Sequence, residues 1–453
     1  MIIHPYGGIN EIGGNTFLIE SINTRILLDF GRSFKRENMY YSGFLQPRTS
    51  QGLKDLLEFN ILPRISQLYS REFYLNEGNN NSSIESCFLS HAHLDHFGNI
   101  NLLNENIPVF MGETAKTIIQ SIQDTSRPRF GRPFIREATD NTPSNIRTFR
   151  TGDILQISDF EITPVHVDHS LPGAYGFILQ DINNKGRVIG YTGDLRLHGW
   201  RKDLTEDFIQ LAKKKNLKAL IMEGTNINED FETNEKMVQE DISQAVENTN
   251  GLAIANYSLR DIDRFRSFYL AAKENGRKLL INTKQAHLLY LLQNDPHLDI
   301  PALEDEFINV YKRPKKRYYR WEQALFDTDS ISMVESPRFD QTEYIFHCEF
   351  WNLTDLIDIQ PQSTSTYFYS HGDPFDEEGM IDFNRLQEWI KHFHIIFKQY
   401  HASGHAPRRD LKQIVDAISP ELLIPIHSEH PEMYKELVDV PLLLPKRGKM
   451  VSI

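Results

Sequence analysis

The chain has 453 residues, which is too long for one ordinary domain, and with 40% hydrophobic residues it can bury a sizeable core. Its formal net charge of −13 argues against indiscriminate binding of polyanions, although a local basic groove would still allow a nucleic-acid enzyme. No apolar run is long enough for a membrane span and the N-terminus lacks a secretory signal pattern. The only cysteines, Cys87 and Cys348, offer no disulfide framework, so we expect a cytoplasmic protein.

After a glycine-rich start, the first predicted elements are two paired strands. The apolar runs 16–20 and 25–31 are separated by polar residues, which is typical of paired strands. Asp29, near the end of the second run, is compatible with a turn or with a site residue. Residues 32–83 are predicted to form an insertion with one or two helices and a polar loop at 76–83, and they carry no recognisable chemistry.

A dense cluster of ligand-type residues follows the next predicted strand. The sequence at 91–96 is His-Ala-His-Leu-Asp-His. Imidazole nitrogens and carboxylate oxygens suit Zn(II) or Mn(II), and the alternation lets His91 and His93 face one ion while Asp95 and His96 face a second. A lone His-x-His is more often a surface or core feature, but the full motif after a strand favours two metals, for which hydrolysis is the default chemistry.

The chain continues with a predicted helix at 98–103, a strand at 108–111 and a helix at 114–123. The segment 127–136 then carries four arginines and two phenylalanines. This composition suits a phosphodiester backbone and fits a solvated loop equally well.

Later predicted strands end in residues that could complete a metal site. One strand leads to His169, and another ends in Gly-Asp at Asp194. His169 would complete the first site, and the carboxylate of Asp194 could bridge two ions. His166 competes with His169, whereas His198 is expected to support a metal ligand or to be structural. A further buried strand ends at Glu223.

Beyond about residue 226 the pattern changes to alternating helices and strands. The predicted elements are a helix at 235–248, a strand at 252–255, a helix at 261–275, a strand at 278–281 and a helix at 284–293. Such alternation indicates a parallel α/β unit, which we take as a second domain. Its basic and aromatic run 312–321 could neutralise phosphates and stack bases, although charge runs are usually solvated faces.

The last part of the chain again carries candidate site residues. His401, Ser403 and Gly404 precede a predicted helix at 409–418, and a helix N-terminus with a hydroxyl and a glycine can cradle a phosphate. His427 ends a predicted strand and fits as the missing ligand of the second metal.

Eight motifs in chain order resemble those of the metallo-β-lactamase superfamily, and within it the β-CASP nucleases of the ribonuclease J type. They are Gly-Gly-Ile-Asn-Glu-Ile-Gly-Gly-Asn at 7–15, Asp-Phe-Gly at 29–31, the cluster at 91–96, Asp-His-Ser at 168–170, Thr-Gly-Asp at 192–194, Glu-Gly-Thr at 223–225, His-Ala-Ser-Gly-His-Ala at 401–406 and Pro-Ile-His-Ser-Glu at 425–429. The resemblance covers nearly the whole chain. It implies an α/β fold: a metallo-β-lactamase αββα sandwich, built from residues 1–225 and 398–453, with an inserted α/β β-CASP domain at 226–397.

The resemblance also implies a set of metal ligands. These are His91, His93 and His169 at a first metal, Asp95, His96 and His427 at a second, and Asp194 between them. Asp29 would orient the ligand loops. The ions would be Zn(II) or Mn(II).

The implied reaction is in-line attack of a metal-bridging hydroxide on a phosphodiester, with Asp95 among the catalytic residues. Glu223 would keep His405 protonated, so that His405 acts as general acid to the leaving oxygen. His401 and Ser403, with Gly404 between Ser403 and His405, would hold the scissile or terminal phosphate. The substrate would be a single-stranded nucleic acid, with RNA favoured over DNA, cleaved by an endonuclease or a 5′-to-3′ exonuclease.

Two other function classes share part of this pattern. A small-molecule hydrolase such as a lactonase shares the first motifs, but it needs neither the long insertion nor the pair His405 and Glu223. A catalytically silent nucleic-acid-binding subunit would lose ligands, whereas every expected position is filled here. The chain ends at Ile453, so we expect a shorter relative without the C-terminal domain that helps ribonuclease J dimerise. Whether the protein forms a homo-oligomer stays open.

Overall fold

The structure is a computed structural model, and it describes residues 1–73, 83–136, 138, 144–373 and 377–453. The predicted polar loop at 76–83 lies outside the described residues, apart from Ser83. Three β-sheets form the framework of the fold.

The first sheet has seven strands in the order β20-β1-β2-β3-β4-β5-β6. Its strands are β1 (Ile2–Gly7), β2 (Thr16–Glu20), β3 (Arg25–Leu28), β4 (Ser86–Phe88), β5 (Val109–Gly112), β6 (Ile146–Phe149) and β20 (Val451–Ser452). The pairs from β20 to β3 are antiparallel, and those from β3 to β6 are parallel.

The second sheet has six strands in the order β19-β11-β10-β9-β8-β7. Its strands are β7 (Leu155–Ile157), β8 (Phe160–Val167), β9 (Ala174–Asp181), β10 (Val188–Tyr191), β11 (Ala219–Glu223) and β19 (Leu423–Ile426). One shared core joins the two sheets: Phe17 and Phe88 from the first pack in the same apolar cluster as Phe177 and Ile221 from the second. The two sheets therefore lie face to face.

The third sheet has seven strands, all parallel, in the order β15-β14-β13-β16-β12-β17-β18. Its strands are β12 (Ala253–Asn256), β13 (Lys278–Asn282), β14 (Ile308–Tyr311), β15 (Met333–Val334), β16 (Tyr344–His347), β17 (Thr366–Tyr369) and β18 (Ile396–Gln399). Continuous apolar runs such as Leu279–Ile281 form these strands because helices cover both faces of a parallel sheet.

Helices cover the outer faces of the sheets. They are α1 (Phe34–Tyr40), α2 (Lys54–Glu58), α3 (Leu94–Phe97), α4 (Glu113–Thr125), α5 (Lys202–Lys215), α6 (Glu235–Glu247), α7 (Ile262–Glu274), α8 (Thr283–Leu292), α9 (Arg320–Phe326), α10 (Asp355–Ile359), α11 (Glu377–His392), α12 (Arg408–Ile418) and α13 (Tyr434–Leu437). Side chains cap several N-termini: Asn234 caps α6, Asp261 caps α7 and Asn282 caps α8.

The third sheet is inserted between two neighbouring strands of the second. Strands β11 and β19 pair directly in parallel, yet β12 to β18 lie between them in the chain. Strand β18 reaches Gln399, so it extends past the predicted boundary between residues 397 and 398. The predicted domain boundaries stay a prediction.

One predicted element is wrong. The helix expected at 98–103 is a 3₁₀ turn, Ile100–Leu102, after the short helix α3. Asparagine side chains compete here with the helical backbone: Asn99 donates to the Gly31 carbonyl, and Asn101 donates to the carbonyls of Arg129 and Arg132.

Candidate active site

The ligand-type side chains meet where strands of the first two sheets end. The motif 91–96 follows β4, whereas His169 follows β8, Asp194 follows β10 and His427 follows β19. Strands β8, β10 and β19 run in the same direction, so their ends lie at one edge of the second sheet. The packing of the two sheets brings the β4 loop to that edge.

A first group of four ligand atoms lies within 4.8 Å of one another. Its members are His91, His93, His169 and Asp194. The Nε2 atoms of His91 and His169 lie 3.0 and 3.1 Å from Nδ1 of His93. Nδ1 of His169 donates to the Gly404 carbonyl at 2.6 Å, so its Nε2 carries a lone pair that points into the group.

A second group consists of Asp95, His96 and His427, whose ligand atoms also lie within 4.8 Å of one another. Nε2 of His427 is 3.1 Å from Asp95 Oδ2. Asp194 connects the two groups, because its Oδ2 lies 3.0 Å from His96 Nε2 and 3.5 Å from His91 Nε2.

Asp29 fixes the orientation of the ligand loop. Its carboxylate accepts hydrogen bonds from His96 Nδ1 at 2.8 Å, from the Ser90 amide at 2.7 Å and from the Tyr191 hydroxyl at 2.5 Å. Both Asp29 (φ 58°) and His427 (φ 48°) adopt the left-handed conformation. Non-glycine residues in this strained region cluster at functional sites.

Burial and the carboxylates determine the protonation of the imidazoles. Burial lowers the pKa of His91 and His169 well below the ordinary value and lowers that of His93 to about 3. These rings are therefore neutral, the form that binds metal. Burial also lowers the pKa of His96, but the nearby carboxylates, Asp194 foremost, outweigh it and raise that pKa. A bound cation would take the place of this proton.

The donor set fits divalent ions. Oδ1 of Asp194 is buried and has no hydrogen-bond partner among the described residues. The nitrogens that converge on His93 cannot all donate to one another, so a cation would satisfy lone pairs that otherwise face each other. All seven candidate ligands offer nitrogen or oxygen and none offers thiolate, a set that suits Zn(II) or Mn(II).

The pair His405 and Glu223 lies beside the ligand groups. Nδ1 of His405 donates to both carboxylate oxygens of Glu223, at 3.0 and 3.1 Å. Glu223 is fully buried and also accepts from the Leu195 amide and the Thr225 hydroxyl. Burial lowers the pKa of His405, but Glu223 and then Asp194 outweigh it and raise the pKa to about 9. His405 is therefore protonated at neutral pH.

The residues predicted to hold phosphate lie on the loop after β18. Gly404 packs so closely on His169 that a Cβ at position 404 would lie 3.0 Å from Cε1 of that ring. The Ser403 hydroxyl accepts from Asn226 Nδ2 at 3.0 Å. Nδ1 of His401 is buried without a hydrogen-bond partner in the described part of the chain.

Two other histidines lie outside the ligand groups. The ring of His166 stacks on Tyr175 with centroids 4.0 Å apart, and its Nδ1 contacts the Thr151 hydroxyl. His198 donates from Nε2 to the Ser403 carbonyl at 2.8 Å, which is a structural contact. The structure thus brings His169, and not His166, to the ligand edge.

Most of the basic segment 127–136 is engaged in ion pairs. Arg129 pairs with Glu37 at 2.6 Å, and Arg132 pairs with Glu105 at 2.7 Å. These arginines hold the fold together rather than form a free basic surface.

The sequence analysis did not identify two arginines that lie at the site. Arg260 follows β12, its charge acts on His93, and its Nε is buried without a partner among the described residues. Burial lowers the pKa of Arg260 below its ordinary value, and the charges of Glu349 and Asp95 offset this shift only in part. Its place just after a predicted strand was the one available signal.

Arg196 is the second of these arginines and is fully buried. Its Nη1 donates to the Ser403 carbonyl at 3.0 Å and to Glu235 at 2.7 Å, and its Nη2 donates to the His169 carbonyl at 3.4 Å. It therefore joins the backbone of two site loops to α6.

Comparison with known proteins agrees with this geometry. A family model described as the beta-lactamase superfamily domain matches residues 67–257, and a model described as the Zn-dependent metallo-hydrolase RNA specificity domain matches residues 396–438. Ribonuclease J of Mycoplasma genitalium is 25% identical over 440 residues, which cover 94% of this chain and 68% of that protein. The chain is therefore similar to proteins of the metallo-β-lactamase superfamily, and to ribonuclease J among them.

Further similar proteins agree with this result. Ribonuclease J of Sinorhizobium meliloti is 24% identical over 450 residues, covering 95% of this chain and 69% of that protein. The crystal structure of a protein of unknown function from Enterococcus faecalis V583 has the same fold, with a TM-score of 0.79, 22% identity and coverage of 99% of both chains.

The predicted fold class, an αββα sandwich with an inserted α/β unit, is confirmed, and so are the resemblance to the β-CASP ribonucleases J and the enzyme class, a metal-dependent hydrolase of the nuclease type. Among the described residues, no helix combines the length and apolar character that crossing a membrane requires.

Proposed function

We propose that the protein hydrolyses phosphodiester bonds of single-stranded RNA. One observation carries the proposal: two groups of histidine and aspartate ligands share Asp194, and the pair His405 and Glu223 lies beside them. The ribonuclease J relatives and the match to an RNA specificity domain support RNA as the polymer.

The site would hold two divalent ions. One would be bound by His91, His93 and His169, a second by Asp95, His96 and His427, and Asp194 would contact both. When bound, such ions supply Lewis acidity, which lowers the pKa of water and stabilises negative charge on a phosphate. Zn(II) fits the donor set, and Mn(II) fits nearly as well.

His405 would act as the general acid. Glu223 keeps the imidazolium in place, so His405 can transfer a proton to the departing sugar oxygen. Asp95 would be catalytic as well, because its carboxylate lies 3.1 Å from His427 Nε2 and is part of the second ligand group.

His401, Ser403 and Gly404 would hold the scissile or terminal phosphate. Nδ1 of His401, which is buried and has no partner among the described residues, offers a hydrogen-bonding atom for it. A phosphate held in a closed pocket would make the enzyme a 5′-to-3′ exonuclease, whereas a strand that passes through would make it an endonuclease.

The test uses 5′-labelled and 3′-labelled single-stranded RNA and DNA of one sequence, with Zn(II) or Mn(II). We expect the wild type to cut RNA, and we expect His405→Ala to lower the rate by about 10²- to 10⁴-fold, the range typical of general acids. Asp95→Ala should also inactivate the enzyme. His166→Ala is the matched control, because its ring lies outside the ligand groups, and it should stay active.

The labels separate the alternatives. Mononucleotides released from the 5′ end would establish an exonuclease, and internal cuts an endonuclease. Preferential cleavage of DNA would mean that the same site acts on DNA rather than on RNA. A metal-loaded protein that cuts neither polymer would contradict the proposal.

A further inference from the structure

The turn after strand β11 connects the proposed general acid to a proposed metal ligand. Strand β11 ends at Glu223, and Thr225 follows two residues later. The Oγ1 atom of Thr225 lies 2.7 Å from Glu223 Oε2 and 2.8 Å from His427 Nδ1. Thr225 therefore contacts both the carboxylate that binds His405 and a ring of the second ligand group. The function proposed above gives it no role.

The single hydrogen of the Thr225 hydroxyl is directed at Glu223. The Glu223 carboxylate accepts from the Leu195 amide at 2.9 Å, from the Thr225 amide at 3.2 Å and from His405 Nδ1 at 3.0 Å, so it acts as an acceptor throughout. Two oxygens 2.7 Å apart need a hydrogen between them. The hydroxyl must supply that hydrogen, because an ionised carboxylate has none to donate.

This direction determines which nitrogen of His427 carries a hydrogen. With its own hydrogen directed at Glu223, the Thr225 oxygen can only accept, so His427 Nδ1 donates to it. A neutral imidazole has one ring hydrogen, so Nε2 then keeps its lone pair. Nε2 is the atom that lies 3.1 Å from Asp95 Oδ2 and 3.8 Å from Asp194 Oδ2. The ring thus presents its free nitrogen to the second ligand group.

The three hydrogen-bonded groups are buried and held by the second sheet. Glu223 is 0%, His427 1% and Thr225 8% exposed. In the parallel pair of β11 and β19, Glu223 lies opposite Ile426, the residue before His427. The Tyr434 hydroxyl donates to the Glu223 carbonyl at 2.6 Å. Hydrogen bonds in such a buried network are stronger than in water and specify one arrangement of the side chains.

Hydrogen bonds account for the close approach of these side chains without an ion among them. Asp194, Glu223, His405 and His427 offer ligand atoms within 4.8 Å of one another. However, Nδ1 of His405 donates to Glu223, and Nδ1 of His427 donates to Thr225. A nitrogen that carries a hydrogen has no lone pair for a cation. The ligand atom left on His427 is Nε2, on the side of Asp95.

We propose that Thr225 is a positioning residue for the second metal site: its hydroxyl joins Glu223 to His427 and holds the ring with Nε2 free for the ion. The inference rests on the proposed function. It gives Glu223 two tasks, since this carboxylate supports His405 directly and His427 through Thr225. Outer groups of this kind orient a ligand ring and raise its basicity, so the affinity of the second ion depends on a hydroxyl that never contacts it.

The first test measures the binding of Zn(II) to the metal-free protein in competition with a chromophoric chelator. His93→Ala and His427→Ala identify which binding step belongs to which ligand group. Thr225→Val keeps the shape of the side chain and removes the hydroxyl. We expect it to weaken the step that His427→Ala abolishes by about 10- to 100-fold and to leave the other step unchanged.

Two further variants separate the hydroxyl from packing. Thr225→Ser keeps the hydroxyl and loses the methyl group, so it should bind both ions like the wild type. Thr249→Val is the matched control, because Thr249 is 3% exposed and its hydroxyl donates to the Ala245 carbonyl at 2.8 Å, before β12 and outside the ligand groups. It should also bind both ions normally. A role in packing alone would give the opposite order, with valine tolerated and serine weakened.

The second test asks whether Glu223 acts through the hydroxyl. Glu223→Gln should weaken the same binding step. Combined with Thr225→Val, it should weaken that step by less than the product of the two single effects, because members of one hydrogen-bond network are not additive. The matched control combines Thr225→Val with Glu421→Gln, an exposed carboxylate that pairs with Lys218, and should bind like Thr225→Val alone.

Wild-type affinity for both ions in Thr225→Val would overturn the inference, and so would equal weakening in Thr225→Ser or a fully additive double variant. A protein that cuts RNA while Thr225→Val binds both ions normally refutes this inference alone. A protein that shows the expected loss in Thr225→Val but cuts neither polymer supports the inference and refutes the proposed function. A wild type that binds no ion refutes both.

Discussion

Burial lowers the pKa of the imidazoles in the site, whereas nearby carboxylates raise it. At His91, His93 and His169 burial prevails and keeps the rings neutral, which is the form that the proposed metal binding needs. At His405 the carboxylate of Glu223 prevails and keeps the ring charged, which is the form that the proposed general acid needs. Neighbouring histidines are thus held in different protonation states by what surrounds them.

Replacing Glu223 by glutamine should shift the pH dependence of catalysis. The carboxylate raises the pKa of His405 to about 9, so the proton-donating form persists at all lower pH values. Without the charge this pKa falls, and the donor form is lost as pH rises through a lower value. The alkaline limb of the pH–rate profile should move down by about 1 to 3 units.

The control for this change is Glu421→Gln, at an exposed carboxylate that pairs with Lys218. A lower rate in Glu223→Gln with the alkaline limb in its original place would mean that Glu223 only supports the fold.

Gly31 should tolerate no side chain, because a Cβ there would lie 1.6 Å from the Asp95 carbonyl oxygen and 2.7 Å from the His96 amide nitrogen. Gly31→Ala must therefore displace the ligand loop. We expect a loss of stability of about 1 to 3 kcal/mol and a reduced metal-to-protein ratio after dialysis.

Gly186→Ala is the matched control, since a Cβ at that position meets only Asn184 Oδ1 at 3.6 Å. Full metal content in Gly31→Ala would show that the loop adapts without losing its ligands.

At the scale of elements, one buried guanidinium joins the second sheet to the helices of the third. Arg196, two residues after Asp194, pairs with Glu235 on α6 and Asp263 on α7. The same side chain donates to the carbonyls of His169 and Ser403. It therefore positions two site loops relative to the inserted unit.

Arg196→Met should destabilise the protein by about 3 to 5 kcal/mol, because it leaves the Asp263 carboxylate without its partner and removes one of the two arginines that pair with buried Glu235. Urea unfolding measures this change, and activity should fall with it as the loops lose their anchor. Arg201→Met removes only an exposed pair with Asp203 and should cost about 0 to 1 kcal/mol. Equal losses in the two variants would refute the role of Arg196.

The sequence predicted the elements well where periodicity or a strand end marked them. The helix expected at 114–123 is Glu113–Thr125, and the strand expected at 278–281 is Lys278–Asn282. The prediction of a helix at 98–103 was wrong because asparagine side chains bind backbone groups of distant segments, which no local pattern shows.

The candidate site was predictable for the same reason, since its ligand-type residues stand at strand ends. The choice between His166 and His169 required the structure, because both lie near the end of β8. Arg260 and Arg196 were not found, because their partners come from distant parts of the chain.

In the whole molecule, the site is assembled from segments that only the folded chain brings together. The loop at 91–96 comes from the first sheet, His169, Asp194 and His427 come from the second, and His401 follows a strand of the third. An unfolded chain offers no such arrangement. Ions bound here should therefore stabilise the fold by mass action.

Removing the metal should lower the thermal stability of the protein. At a free ion concentration of about 100 Kd, binding contributes about 2.7 kcal/mol, and a chelator removes this contribution. Buried Asp194, whose Oδ1 lacks a partner among the described residues, would then lose the cation that the proposed function places beside it. Thermal unfolding before and after chelation, followed by titration with Zn(II) or Mn(II), measures the shift and its recovery. Asp194→Asn should show a much smaller shift than His166→Ala, which keeps every ligand; equal shifts would place the stabilising ions elsewhere in the molecule.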